Sequence, residues 1–381
     1  MIYLNNAATT IQKPPEVAQA VVAAMAGAGS SARGASADDL AAARSVAGAR
    51  VHLARLFGFS HPERVIFTMN ATMALNIALF GLLKPGDHVI TTDFEHNSVL
   101  RPLHELERRG VIGLDYVRAD AAGRLHTEEL EGLFRPNTAA VVATHASNLT
   151  GALTDAAALA ASAHAHGARF ILDAAQTAGA LPVDAAALGA DIICFTGHKA
   201  LMGPQGTGGL LVAPDVELAP LILGGTGVKS ADPFQPASWP EHLEAGTLNS
   251  QGIAGLDAAV GVLLDVGVEH VAAYEARLRE RFCAGVGDIP GITVYGAHDG
   301  QAHTGVVALN LAGMDSSTLA DRLAQDFGIA TRAGLHCAPR MHAALGTLEQ
   351  GAVRFSFCWY TSASDIDAAV SALREIARAR R

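Results

Sequence analysis

Lys199 in CFTGHKALMGPQGTGG (194–209) stands directly after an apolar run and directly before a cluster of glycines. Of the chain's 27 basic residues only Lys13, Lys84, Lys199 and Lys229 are lysine, and arginine is the default cation. Lysine does covalent work that arginine cannot: once its ammonium loses a proton it forms a Schiff base with a carbonyl. Asp173 closes an earlier apolar run, RFILD (169–173). Both residues sit at the carboxyl end of a strand-like run, where open α/β sheets bind ligands, and their separation suits one right-handed βαβ crossover.

A lysine and a carboxylate facing one cleft are what pyridoxal phosphate requires, the lysine for the imine and the acid to keep the pyridine nitrogen protonated. Alone, Asp173 reads equally well as a helix N-cap; beside Lys199 the cofactor reading is favoured. The phosphate needs convergent donors, best supplied at a helix N-terminus. TMNATMALNIAL (68–79) offers Asn70, Ala71 and Thr72 there, and Thr196 and His198 flank the lysine. GGTGVKS (224–230) lacks the glycine before Lys229 that a phosphate-binding P-loop has, and GPQGTGG follows its lysine, so these glycines read as turns allowing close backbone approach.

Two further residues could carry chemistry. Cys337 in RAGLHCAP adjoins His336 in a turn bounded by Gly334 and Pro339; a thiolate there is a nucleophile, favoured by neighbouring histidine or arginine charge. Cys337, His336 and His342 lack a fourth ligand at metal spacing, so no metal is expected. Arg354 in AVRFSF is costly as an unpaired core charge and suits a bidentate clamp on a carboxylate, with a structural ion pair as the bland alternative. Cys194 and Cys358 lie in apolar runs and read as small buried hydrophobes.

These residues need a scaffold. Between residues 60 and 215, RVIFT, HVITT, LDYVR, AVVATH, RFILD, DIICFT and GGLLV alternate with alanine-rich helical stretches. Their near-continuous apolarity predicts about seven strands, buried on both faces in a mostly parallel α/β sheet. Residues 224–247 read as a long functional loop. ITVYG, GVVALNL, GIATRAG and AVRFSF, with helices over 255–266, 269–286 and 364–380 and another between the second and third runs, give an α+β pattern. The expected division is a large cofactor-binding domain over 16–254 and a small one from 1–15 and 255–381, which carries Cys337 and Arg354.

Bulk properties narrow the function. With 381 residues, 50% hydrophobic and 17% charged, the chain can bury a substantial core. A net charge of −10 without a block of like charges gives no footprint for nucleic acid or an anionic membrane. Met1–Thr10 has no basic or apolar leader pattern, and no apolar run reaches spanning length. A cytoplasmic chain acting on small molecules is expected.

The sequence resembles the class V aminotransferase group of fold-type I pyridoxal-phosphate enzymes, within it the cysteine desulfurases and selenocysteine lyases. The resemblance runs through YLNNAATT (3–10), FEHNS (94–98), THASNLTG (144–151), LDAAQTAG (172–179), TGHKALMGPQGTGGL (196–210), LEAGTLN (243–249), TRAGLHCAP (331–339) and VRFSF (353–357). It implies that Lys199 is the Schiff-base lysine, that His96 stacks on the pyridine and handles protons, and that Asn148 contacts cofactor and substrate. It further implies that Asp173 and Gln176 hold the ring nitrogen and phenolic oxygen, and that Thr72, Thr196 and His198, with the Ala71 backbone, bind phosphate. Thr247 falls where a partner subunit closes the phosphate site, which implies a homodimer. Arg354 matches the carboxylate-binding arginine and Arg33 a further active-site arginine.

Three departures stand out. Ala71 replaces the first of two adjacent threonines often found at the phosphate turn, Ala32 replaces a histidine before Arg33, and LHCAPRMH differs after the cysteine from one well-known branch. The expected reaction is desulfuration of L-cysteine to L-alanine, with sulfur passing to Cys337 as a persulfide and then to an acceptor protein. L-selenocysteine cleavage would use the same residues. Transamination, epimerisation or carbon–sulfur cleavage are other reactions of the group, and a non-catalytic sulfur-transfer scaffold is the reading from another class.

Overall fold

The structure, a computed structural model, describes residues 1–27, 36–296 and 300–379. After β1 (Ile2–Tyr3), seven strands form the large sheet: β2 (Val65–Thr68), β3 (Asp87–Thr92), β4 (Ile112–Val117), β5 (Thr138–Thr144), β6 (Arg169–Asp173), β7 (Ile192–Thr196) and β8 (Gly208–Val212). Their order is β2-β8-β7-β6-β5-β3-β4. β8 is antiparallel to both neighbours and the other pairings are parallel. The carboxyl ends of the six like-directed strands therefore share one edge.

The continuous apolarity of the strands has the expected origin. In β6, Phe170 and Leu172 enter one core while Ile171 enters the other; in β7, Phe195 and Ile193 oppose Cys194 and Ile192. The two-residue side-chain period sends alternate residues to opposite faces, and helices cover both. One cover is the helix Ser250–Val266, whose Leu256, Ala259, Val260 and Leu263 join the core of Phe170 and Phe195.

A second sheet has the order β12 (Arg332–Gly334), β13 (Ala352–Ser356), β10 (Val306–Leu311), β9 (Ile292–Tyr295), all antiparallel. GIATRAG, read from sequence as one strand, is two: β11 (Ile329–Ala330) pairs with β1, and Arg332 onward pairs with β13. Residues 224–247 form no helix or strand. Among the described residues no single helix is long and apolar enough to cross a membrane.

An N-terminal strap joins the two sheets at the site. Ser356 N–H donates to Leu4 O, and Asn6 Nδ2 donates to Ser356 O at 2.9 Å. Further along, the Thr10 N–H and Lys13 Nζ donate to His198 O at 3.1 and 2.9 Å, and Thr10 Oγ1 donates to Lys199 O at 3.1 Å. The turn carrying Lys199 is thereby tied to the strand carrying Arg354.

Candidate active site

The carboxyl edge of the large sheet borders a cavity of about 270 Å³, at the small end of ligand sites. The ends of the like-directed strands deliver its walls: Thr196, His198 and Lys199 from β7, Asp173 and Gln176 from β6, Thr144 and Asn148 from β5, His96 from the loop after β3 and, from the far side of β8, Asn70, Ala71 and Thr72 after β2. The small sheet closes the cavity with Arg332, His336 and Arg354.

Each large-sheet residue has a local reason for its place. Asn70 caps the helix Ala71–Leu82, its side chain accepting from Met73 N–H, so the helix opens at the cavity with its N-terminal dipole. Gly208 lets β8 approach, because a Cβ there would lie 2.8 Å from Asn70 Cα. Asp173 caps a turn and no helix: Oδ1 accepts from Ala175 N–H at 2.9 Å, and the next helix begins at Ala185 behind its own cap, Asp184. Gly179 has φ +88°, and a Cβ on it would lie 2.6 Å from Ala200 O, so only glycine lets the lysine turn pack here.

Burial shifts Lys199 toward its uncharged form. Burial lowers the Lys199 ammonium to about 8; Asp173 opposes the shift, while Arg354 and Arg332 add to it. Burial also raises the Asp173 carboxyl, against the Ala175 N–H and Lys199. His96 is held neutral, lowered to about 4 by burial and then by Lys199 and arginine charge. Its Nδ1 accepts from Ser98 N–H at 3.0 Å, so the proton of the neutral ring is on Nε2. Ser98, unremarked in the sequence, joins His96 Nδ1 and Thr72 Oγ1 at 2.8 and 2.7 Å.

Arg354 is 1% exposed. Its Nη1 donates to Asn148 O at 2.8 Å and Nη2 to Asn5 Oδ1 at 3.3 Å, so hydrogen bonds orient it, with no ion pair among the described residues. Arg332 faces it directly across the β12–β13 register. Like charges at directly opposed positions repel, and burial followed by Arg332 lowers the Arg354 guanidinium to about 9. Arg332 has the same sequence signal as Arg354, a charge in a strand-like run, but within GIATRAG that signal is masked by the change of strand partner after Ala330.

The cysteine turn brings two corrections. His336 was expected to lend positive charge to Cys337, but burial pushes it down to about 3. Its Nε2 lies 3.0 Å from Arg332 O and must donate to that carbonyl, leaving Nδ1 buried without a partner among the described residues. Cys337 lines an adjoining open groove with Thr72, His96, Ser98 and Arg101 instead of the cavity itself. Three residues, Thr72, His96 and Ser98, border both spaces, which puts the thiol at the cavity mouth. Thr247 lines a separate groove with Phe67 and Met73, and Arg33 lies outside the described residues. Cys194 and Cys358 are buried as expected.

The cavity fits pyridoxal phosphate. Thr196 Oγ1, His198 Nδ1, Asn148 Oδ1 and Arg354 Nε are buried with no partner among the described residues, and all four residues line it. Buried polar groups are rarely left so. The first two belong to the expected phosphate set beside a helix N-terminus, the others to the expected substrate set.

With fold and cavity established, the class follows: the family model for class V aminotransferases matches residues 2–369, and the chain belongs to that family. Within it, the chain is 36% identical over 383 residues to a probable cysteine desulfurase of Methanothermobacter thermautotrophicus, covering 99% of this chain and 94% of that one. A cysteine desulfurase of Haloferax volcanii is 34% identical over 387 residues, covering 98% and 88%. The apo cysteine desulfurase of Thermococcus onnurineus superposes with a TM-score of 0.93 at 30% identity, covering 99% and 95%. Both families named by these matches depend on pyridoxal phosphate.

Proposed function

We propose that this protein is a pyridoxal-phosphate-dependent cysteine desulfurase that converts L-cysteine to L-alanine and takes the sulfur onto Cys337 as a persulfide. One observation carries the reading: Lys199, Asp173, His96 and Arg354 share a cavity at whose mouth Cys337 sits. Bound pyridoxal phosphate supplies an electron sink conjugated with the substrate α-carbon. Thr72, Thr196, His198 and the Ala71 and Thr72 N–H groups would hold its phosphate, Asp173 its pyridine nitrogen and Gln176 its phenolic oxygen.

The chain's own residues then divide the work. Arg354 and Asn148 bind and orient the substrate carboxylate, which also relieves the repulsion between Arg354 and Arg332. Lys199, held near 8, has a free-amine fraction at neutral pH large enough to bond a carbonyl and to take the α-proton. His96, neutral with its proton on Nε2, offers a ring face and a donor. Cys337 as thiolate attacks the substrate sulfur: the new S–S bond forms as Cβ–S breaks, and the carbon fragment keeps the bonding pair and is protonated to alanine.

We further propose a homodimer in which Thr247 of the partner subunit completes the phosphate site; exposed Leu221, Ile222, Leu223 and Phe234, with Ile222 lining the same groove as Thr247, support that interface. The decisive experiment incubates cofactor-loaded protein with L-cysteine and, in parallel, L-selenocysteine. Alanine release with one sulfur atom added at Cys337 is expected. A keto acid, or alanine with no sulfur on Cys337, would overturn the reading.

A further inference from the structure

The turn carrying the thiol is strained. His336 and Cys337 are consecutive non-glycine residues with φ of 52° and 57°, a conformation that persists only when its surroundings over-determine it. Ahead of the thiol the ties are plain: Asn148 Nδ2 donates to His336 O at 2.6 Å, and His336 Nε2 donates to Arg332 O. At the thiol residue itself, Asn97 N–H donates to Cys337 O at 2.8 Å. Beyond it the short helix Pro339–Ala344 buries Met341, with Ala338, against Phe94 and Leu149, a contact that gives no direction.

Direction comes from Arg340. Its Nε donates to Asp93 Oδ1 at 2.7 Å, and its guanidinium lies 3.5 Å over the Tyr116 ring. Asp93 is nearly buried, with 8% of its side chain exposed, and is itself fixed because Oδ2 accepts from Ala119 N–H at 2.9 Å. Tyr116 belongs to β4, and Asp93 begins the loop from β3 that carries His96. Arg340 thus measures the thiol-bearing turn against the loop holding His96. It lies in LHCAPRMH, the segment whose departure from one branch the cysteine chemistry leaves unexplained.

We propose that Arg340 is a positioning residue for Cys337: its pair with Asp93 and its stacking on Tyr116 fix the strained turn at the cavity mouth. The consequence for sulfur transfer rests on the function proposed above; the clamp itself does not. Arg340→Gln and Asp93→Asn should each speed amide exchange over residues 335–341, and alkylation of Cys337 by iodoacetamide, by about tenfold. Cofactor absorbance should stay unchanged and alanine release should fall about tenfold in kcat with little change in KM. The double variant should match either single one, and Arg340→Lys, which keeps the charge but not the flat stacked group, should fall between.

Unchanged exchange and alkylation in both single variants would overturn the clamp, whatever the activity. So would additive effects in the double variant, or loss of turnover with exchange intact. If the clamp variants loosen the turn and wild-type protein releases no alanine, the clamp stands and the proposed function fails.

Discussion

The two walls of the cavity are built by different physics. On the large-sheet wall Asp173 ends its strand, and Lys199, Asn148 and His96 stand in the loops just beyond the neighbouring parallel strands, so strand order brings them together. On the small-sheet wall Arg332 and Arg354 are forced opposite one another, and the His336–Cys337 turn sits in left-handed backbone. Hydrogen bonds from the other wall keep both in place. One wall is a frame at rest. The other stores repulsion and strain, which an anionic substrate and a rearranging thiol can each draw on.

Breaking either wall should therefore give different failures. Lys199→Ala removes the group that forms the covalent link and takes the α-proton, and alanine release should fall by at least about 10⁴-fold. Cys337→Ser should likewise remove persulfide, measured by intact mass, while cofactor absorbance is retained. Loss of cofactor from the Cys337 variant would mean that the walls are not separable. Arg354→Gln sharpens the contrast at smaller scale: losing a charge-assisted carboxylate contact worth about 1.5–3 kcal/mol should lower kcat/KM about 10- to 150-fold, mainly through KM. Apo protein of this variant should be no less stable, since it loses a buried charge that faces Arg332.

The same contrast decides what could be read from sequence. Strands such as RFILD and DIICFT announce themselves because both faces are buried, and a residue at a strand's carboxyl end then has a known address; Lys199 and Asp173 are legible this way, and His96 through the family resemblance. Nothing local records that Ile329–Ala330 pairs with β1 while Arg332 pairs with β13. That switch of partner turns Arg332 toward the cavity, and it is a tertiary choice. The neutrality of His336 is equally non-local, since it follows from burial and from Arg354 and Arg332. Ser98 leaves no trace in the sequence because its role lies in joining His96 to Thr72.

The pH response tests the frame without substrate. With Lys199 lowered to about 8, the free amine should be roughly a tenth of the population at pH 7 and most of it at pH 9. Cofactor recombination with apo protein, followed by absorbance, should therefore quicken about tenfold from pH 7 to 9 and then level. A rate still climbing steeply above pH 9.5 would show that burial does not depress this lysine.

The last test concerns Glu95, which braces the frame from behind. It is fully buried, and its Oε1 accepts from Thr92 Oγ1 and Thr144 N–H at 2.7 and 2.9 Å, joining the ends of β3 and β5. Burial raises it to about 8 from an ordinary 4.5, against these hydrogen bonds and with help from Asp173 and Asp93. Between those values the folded chain holds a proton that the unfolded chain has released, so stability from this group is complete below about pH 4.5 and is lost as pH rises through 8. Glu95→Gln keeps the acceptor and carries no proton to lose. The thermal midpoint of the apo variant should gain on wild type as pH rises from 5 to 8 and hold that lead above 8. The comparison between the two chains matters, because Glu275, also raised to about 8 by burial, gives both the same background slope. Parallel curves would mean that Glu95 ionises freely, and that the ends of β3 and β5 are wetter than their packing allows.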